Sequence, residues 1–547
     1  MAEQAPEQDR AHAAVLDEAH VGDIRGAFGT IRQQDLGARR TWRARLLTLA
    51  AIVGPGLIVM VGDNDAGGVA TYAQAGQTYG TSLLWTLVLL VPVLVVNQEM
   101  VVRLGAVTGV GHARLIRERF GRFWAWFSVG DLFVLDFLTI VTEFIGVDLA
   151  LSYFGVSRYL AVPLAALALI AITASGSFER WERFMLVFVV ANFLIIPLAV
   201  MSHPRSAPIL HGFVPGIRGG LTSTSVLLVI AIVGTTVAPW QLFFQQSNII
   251  DKRITPRWIN YERVDTVLGS LITVVGAGAM IVTTAFAVPR RHYGAFVNAG
   301  VVAHDIGQHL GSVAGALFAV VLLNASLIGA AAVTLGTSYA FGDIFGTRHS
   351  LHRKATESPG FYAMFAGLVA FAAGIVLIPH APLGVITTAV QALAGVLLPS
   401  ASVFLLLLCN DREVLGPWVN ALWLNVVAAA IVGVLIILSL ILVATTIFPT
   451  IDVRVLLVVL FGVLVAALSA GGVAHLARRV PARAAPAPDE PQRRETWRMP
   501  PLALLGRPAW SRGRTAAMWA LRAYLVVAVL LLVVKAVELA TAHPVAH

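Results

Sequence analysis

The chain has 547 residues, 57% hydrophobic and 13% charged, with a mean hydropathy of +0.79 and a net charge of +9. Soluble domains carry roughly 25% charged residues, so the composition excludes a soluble enzyme and predicts an all-α polytopic membrane protein, its apolar runs being helical in length. The single cysteine, Cys409, excludes an intramolecular disulfide and a multi-cysteine metal cluster; at the end of an apolar run it reads as a small packing residue.

Residues 1–44 are polar and show no cleavable signal peptide, and they read as a partly helical cytosolic tail. Thirteen spans follow, at 46–77 (broken), 81–104, 123–153, 157–174, 182–202, 222–250 (broken), 262–288, 311–340, 359–379, 383–409, 417–447, 453–477 and 516–540. They divide into a first five-span block (45–205), a second (206–410), spans eleven and twelve (411–478), a Pro/Arg-rich cytosolic linker (479–514) and the thirteenth span with the C-terminal tail (515–547). The thirteenth contains Arg522 and Lys535 and is alternatively an interfacial helix.

With the N-terminus inside, 30 of the 39 Lys and Arg residues fall in the tail, the linker and the inside loops. Only Arg158, Arg205, Arg218, Arg290, Arg291 and Arg454 fall in outside loops. This asymmetry sets the orientation, and it accounts for the basic balance without a nucleic-acid partner.

Two long spans are broken by helix-disrupting residues. In the first, Gly62-Asp63-Asn64-Asp65-Ala66-Gly67-Gly68 interrupts the apolar run. Glycines release the helix and free backbone carbonyls, and an intramembrane carboxylate beside them reads as a cation site. In the sixth, Gly234-Thr235-Thr236-Val237-Ala238-Pro239 breaks the helix, because Pro239 withholds a donor from the carbonyl near Thr235. The breaks lie five spans apart. Five is odd, so the two blocks enter the membrane from opposite sides, which is the signature of an inverted repeat with its site between the breaks.

The residues that carry these breaks resemble the NRAMP family of divalent metal transporters. GPGLIVMVGDNDAGGVATYAQAGQTYGTSLLW (54–85) resembles its first helix, and VVRLGAVTG (101–109) the end of its second. IVGTTVAPWQLFFQQSNIIDKR (232–253) resembles its sixth, and QALAGVLLPSASVFLLLLCNDREVLGPWVN (391–420) its tenth and the loop after it. The resemblance implies a LeuT-like fold of two inverted five-helix repeats with broken helices 1 and 6, plus extra C-terminal helices. Asp65 stands where the family has its aspartate, but Gly68 replaces an asparagine, Ala238 a methionine, Trp240 a histidine and Ile140 the first acid of helix 3. These departures resemble the magnesium-transporting branch.

Loss of the thioether removes discrimination by softness, and the deletions at Gly68 and Ala238 imply a larger pocket for a partly hydrated magnesium ion, which dehydrates reluctantly. The implied metal residues are Asp65, Gly68, Thr235, Ala238, Gln391, Asp63 and Glu143. Asp63 reads equally as an outer contributor or a solvent-facing acid, and Gln391 as a water holder or a helix–helix hydrogen bond. The expected activity is import of Mg2+, with Mn2+ also carried, by alternating access without proton coupling. The alternatives are a proton-coupled Mn2+/Fe2+ symporter and, in another class, a membrane sensor on a transporter core.

Elsewhere in the bilayer, Asp136 and Glu143 share a face of helix 3 and line a cation path or pair structurally, for example with Arg103. Asp148 widens a negative vestibule, and Asp131 sits at the cytosolic boundary. Glu99 and Arg103, four residues apart, read as an internal ion pair, and Asn324 and Ser326 as packing groups. No zinc-hydrolase, nucleophile-elbow or phosphate-loop motif is present, so the reading is not an enzyme. No cofactor and no obligate protein partner are implied. The partners are a divalent cation and the lipid bilayer, in the bacterial cytoplasmic membrane.

Overall fold

The computed structural model describes residues 17–35, 37–289, 294–379, 383–448, 451–477 and 494–506, with isolated positions from 515 to 526. The tail departs from the helical expectation. After a turn at Glu18–His20 it forms a hairpin, β1 (Ile24–Gly26) and β2 (Gly29–Ile31), with Ile24 opposite Ile31. The hairpin turns Ile24 and Ile31 inward and Arg25 out.

The first predicted span is three helices, α1 (Trp42–Ile52), α2 (Pro55–Gly62) and α3 (Ala66–Tyr79). Gly54 adopts φ 154°, a conformation that L side chains avoid, and Pro55 restarts the helix, so α1 and α2 bend by 52°. There follow α4 (Leu84–Thr108), α5 (His112–Phe120), α6 (Arg122–Ser152), α7 (Arg158–Thr173), α8 (Phe178–Ala191), α9 (Ile195–Met201) and α10 (Ser206–Gly212). The second half comprises α11 (Ser223–Thr236), α12 (Pro239–Asp251), α13 (Ile259–Ala287), α14 (Ala299–Leu310), α15 (Ser312–Phe345), α16 (Pro359–Val376), α17 (Leu383–Cys409), α18 (Arg412–Leu415), α19 (Leu422–Ile447) and α20 (Val453–Ala477).

Each of the twelve spans expected between 46 and 477 falls on a helix or a broken helix. The short helices α5, α10, α14 and α18 lie in connections that carry no span-length apolar run. Among the described residues eight helical stretches, with α8–α9 and α11–α12 each counted as one, are long and apolar enough to cross a membrane, or up to ten with each bent pair taken as one. The thirteenth span and most of the linker lie outside the described residues. The part of the linker that is described docks rather than hangs free: Met499 is buried and its N–H donates to Val107 O at 3.2 Å.

The fold is all-α with two inverted five-helix repeats and two further helices. Its centre is the broken pair α11–α12, 83% buried over its apolar window, against 6% for α20 at the periphery. Helix α13 packs along α2, α3 and α4, and α15 along α6. Helices α11 and α17 meet at glycines: a Cβ on Gly234 would lie 2.6 Å from Gly395 N, so only a bare backbone fits.

Candidate metal site at the two helix breaks

The first break is capped by a side chain, while the second restarts its helix on a proline without a side-chain cap. Asp65 is the N-cap of α3, and its carboxylate accepts the Gly68 N–H at 2.7 Å. Ala238 caps α12, with Pro239 as first helical residue, so the missing N–H costs nothing there. All seven sequence-derived metal residues are buried.

Gly68 gathers the oxygens. A Cβ on it would lie 3.1 Å from Asp63 O, 3.3 Å from Thr235 Oγ1 and 3.4 Å from Asp65 Oδ1. Residues from both breaks thus meet at one small backbone position. Thr235 Oγ1 has no hydrogen bond, although it is buried. The contact that the second break makes at Gly68 is therefore the threonine hydroxyl, where the expectation from Pro239 was a backbone carbonyl.

Glu143 joins the group from α6. Its Oε2 accepts the Ala66 N–H at 3.1 Å, and its carboxyl lies beside Asp65, both bordering Gly329. Its Oε1 is buried without a partner. Gln391 reaches in from α17 to cover Gly67, where an added Cβ would lie 1.7 Å from Nε2. Around the two glycines an added Cβ would meet three oxygens within 3.4 Å at Gly68 and the Gln391 amide at Gly67. Among the described residues no three carboxylate, imidazole or thiol groups converge as metal ligands, so the cluster is two carboxylates with hydroxyl, amide and carbonyl oxygens.

The Asp63 side chain is fully buried and neither oxygen has a hydrogen bond of ordinary geometry; Gln241 is its polar neighbour. This removes the solvent-facing reading of Asp63. Asn64 Nδ2 donates to Thr273 O at 3.1 Å and anchors the break to α13. Sequence reasoning missed Gln241, which bonds Gln98 at 3.2 Å, and Tyr72, whose hydroxyl lies 2.7 Å from Thr236 Oγ1 across the breaks. It also missed Gly329 on α15, where a Cβ would meet Glu143 Oε2 at 2.7 Å and Asp65 Cβ at 2.8 Å. The run of small residues Gly329-Ala330-Ala331-Ala332 was the available signal.

Several residues are structural. Arg103 binds Glu99 (3.0 Å), Trp418 O (2.6 Å) and Asn420 Oδ1 (2.6 Å), so it does not pair with the α6 acids. Asp136 accepts from Thr337 Oγ1 at 2.5 Å and Asp131 from Ser400 Oγ at 3.0 Å. Asp148 faces Arg158 at 3.6 Å, which offsets its charge in any vestibule. Asn324 donates to Phe188 O at 3.0 Å and Ser326 to Leu322 O at 2.7 Å, both packing roles. Trp240 is buried, and a Cβ on Gly62 would lie 3.5 Å from its ring: it is a wall.

Residues 56–445 match the family model described as "Natural resistance-associated macrophage protein-like". The chain is 28% identical over 447 residues to the divalent metal cation transporter MntH of Burkholderia ambifaria, covering 78% of this chain and 93% of that one. It is 26% identical over 439 residues to MntH of Xylella fastidiosa, covering 78% and 89%. A crystal structure of the Eremococcus coleocola manganese transporter superposes with a TM-score of 0.61 at 20% identity, covering 80% of this chain and 96% of that one. That likeness establishes the fold.

Proposed function

This chain belongs to the Nramp family, and from that premise we propose that it carries a divalent metal cation across a membrane by alternating access, with Asp65 as the principal ligand. The observation that carries this is the meeting of Asp65 Oδ1, Asp63 O and Thr235 Oγ1 around Gly68, where both helix breaks face each other. Asp65 supplies charge, Asp63 O and Thr235 Oγ1 supply neutral oxygens, Glu143 a second carboxylate and Gln391 an amide. Rocking of one helix block against the other would open the site to each side in turn.

Relatives named as manganese and divalent-cation transporters favour a Mn2+-type cargo. The side-by-side placement of the Asp65 and Glu143 carboxyls favours coupling of the metal to protons moving with it, because two adjacent buried acids do not both stay charged and the one that does not hold the cation is free to carry a proton. One observation favours a second reading, Mg2+: Ala238 stands at the cap of α12 and the site is built of oxygens alone, so no soft ligand selects a transition metal. The cluster of basic residues at the N-terminal end supports a cytosolic tail, and the bacterial relatives a cytoplasmic membrane.

Flux into liposomes tests the reading. Mn2+ uptake that acidifies the lumen and vanishes in Asp65→Ala supports the first form. Mg2+ uptake of similar rate, with no pH change and equal dependence on Asp65, supports the second. Uptake of either ion undiminished in Asp65→Ala removes the site assignment.

A further inference from the structure

On the tail side of Asp65 lies a second group of buried acids that transport at the breaks does not use. Glu262 and Asp265 lie one turn apart on α13, Glu182 on α8, and Lys252 just past α12; all four side chains are buried. Asp265 Oδ2 accepts the N–H groups of Gly54 (3.0 Å) and Gly56 (2.7 Å), at the bend between α1 and α2. Its Oδ1 has no hydrogen bond of ordinary length and angle; the Leu57 N–H is the nearby donor to this carboxylate. Neither oxygen of Glu262 has one of ordinary length and angle; Gln245 is its polar neighbour. Gln245 donates to Thr266 Oγ1 at 3.0 Å, which leaves its own Oε1 unpartnered. Lys252 directs its three donors to Ile52 O (2.6 Å), Val53 O (2.9 Å) and Glu182 Oε1 (2.6 Å).

Charge counting gives this group a ligand. Three carboxylates against one ammonium leave two negative charges where water is excluded. A buried surplus of that size is neutralised by protons or by a cation. We propose that Glu262 and Asp265 form a second divalent-cation site, holding one dication in place of two protons. Asp265 Oδ1, the Glu262 carboxylate and Gln245 Oε1 are its oxygen ligands, with water completing the shell, as suits Mg2+ or Mn2+. Helix α2, eight residues long, separates this group from the breaks by about 12 Å at 1.5 Å per residue. The site's role as a station between Asp65 and the tail side rests on the transport reading; its existence as a binding site does not.

The tail hairpin covers it. Ala27 N–H donates to Glu182 Oε2 at 2.7 Å, and a Cβ on Gly26 would lie 3.3 Å from Lys252 Cε. A cation leaving toward the tail therefore passes the Lys252–Glu182 pair and the hairpin.

Equilibrium Mn2+ binding to the purified full-length protein, with free ion read by EPR, tests the proposal. Wild type binds two ions, Asp65→Asn one, Glu262→Gln/Asp265→Asn one, and the combined variant none. Full wild-type stoichiometry in Glu262→Gln/Asp265→Asn overturns it. So does a wild type that binds a single ion lost in Asp65→Asn, which leaves the transport reading intact. If Asp65→Asn changes nothing while the α13 double variant removes the bound ion, the second site stands and the Asp65 assignment falls. Lys252→Met provides a check that does not depend on removing ligands: it adds one uncompensated negative charge, so Mn2+ binding at this site tightens tenfold or more. Unchanged affinity overturns the proposal.

Discussion

Glu143 Oε2 accepts the backbone N–H of Ala66 at 3.1 Å, so the α6 acid holds the first amide of the half-helix that Asp65 caps. The acid is thereby both a structural anchor of the break and the neighbour of the principal carboxylate. Glu143→Gln keeps an oxygen acceptor for Ala66 while removing the charge. Its expected effect is a roughly 10- to 100-fold loss of metal affinity, the usual scale for a group that supports a ligand. Mn2+ uptake that also loses its dependence on pH between 5.5 and 7.5 would place the co-transported proton on this pair. A variant with wild-type affinity and pH profile would confine Glu143 to anchoring.

Gly329 provides a steric test. Its missing side chain lets α15 approach both carboxylates, and a Cβ there would sit 2.7 Å from Glu143 Oε2 and 2.8 Å from Asp65 Cβ. Contacts that short force a shift, and overpacking of this kind costs about 1–3 kcal/mol. Gly329→Ala should lower transport severalfold while the protein still assembles in the membrane. Normal uptake would mean that the Asp65–Glu143 geometry is not critical.

Ala238→Met addresses selectivity. The substitution offers a thioether at the cap of α12, and soft ligands favour Mn2+ over Mg2+. A tilt of about tenfold toward Mn2+, equivalent to 1.4 kcal/mol, should appear in competition uptake. If the ratio does not move, softness at position 238 does not set selectivity, and the packing around Gly67 and Gly68 does.

How far the sequence led is clear from particular residues. The broken spans at Asp65 and Thr235 were readable because Gly and Pro disrupt helices wherever they sit, but the Thr235 hydroxyl that meets Asp65 at Gly68 was not. The Glu99–Arg103 pair was readable because four residues make one helical turn. Gln241 and Tyr72 were not, because a polar residue on a buried helix face carries no local sign of what it meets across 164 residues of chain, as Tyr72 meets Thr236. The hairpin was missed for another reason. Strands of three residues are too short for periodicity to register, and Gly26 is required only because Ala51 O would lie 2.0 Å from a Cβ there.

Lys252 and Glu182 form an ion pair at 2.6 Å with both side chains wholly buried. Removing one partner leaves an uncompensated charge, at a cost of about 3–5 kcal/mol. Lys252→Met should therefore melt well below wild type in detergent. Glu182→Gln/Lys252→Met should recover most of the loss, because both charges are then gone. Equal melting of the single and double variants would show that the two charges are not coupled.

The last prediction concerns pH and the tail. His20 lies against Asp251 at 3.6 Å, with its ring 5.9 Å from that of His349, and Asp17 and Asp343 also face it. Burial pushes the His20 imidazole down, more strongly than Asp251 and the other acids raise it, so docked His20 holds its proton less tightly than the ordinary 6.5. The docked tail thus favours the neutral ring. Docking is at full strength above pH 6.5 and weakens as pH falls below it, since the released tail binds more protons. Two other groups respond differently. Burial lowers the His349 imidazole, but Asp343 raises it by more, so its contribution is present below 6.5 and fades as pH rises. At Asp17 burial raises the carboxyl, but Arg353 and the Ala19 N–H lower it further, so its grip on Arg353 is lost only in stronger acid. Burial holds the His352 imidazole down as well, with Arg253 and the hairpin's Arg25 adding to it against Asp251, so His20 and His352 both loosen the hairpin between pH 7.5 and 5.5. A spin label on Phe28→Cys at the exposed hairpin turn reads this directly, the native Cys409 being buried. Label mobility should rise over that range in the otherwise wild-type protein and rise clearly less in His20→Gln. An equal rise in both would assign the motion to another group, and no rise in either would show that the tail stays docked regardless of the charge on His20.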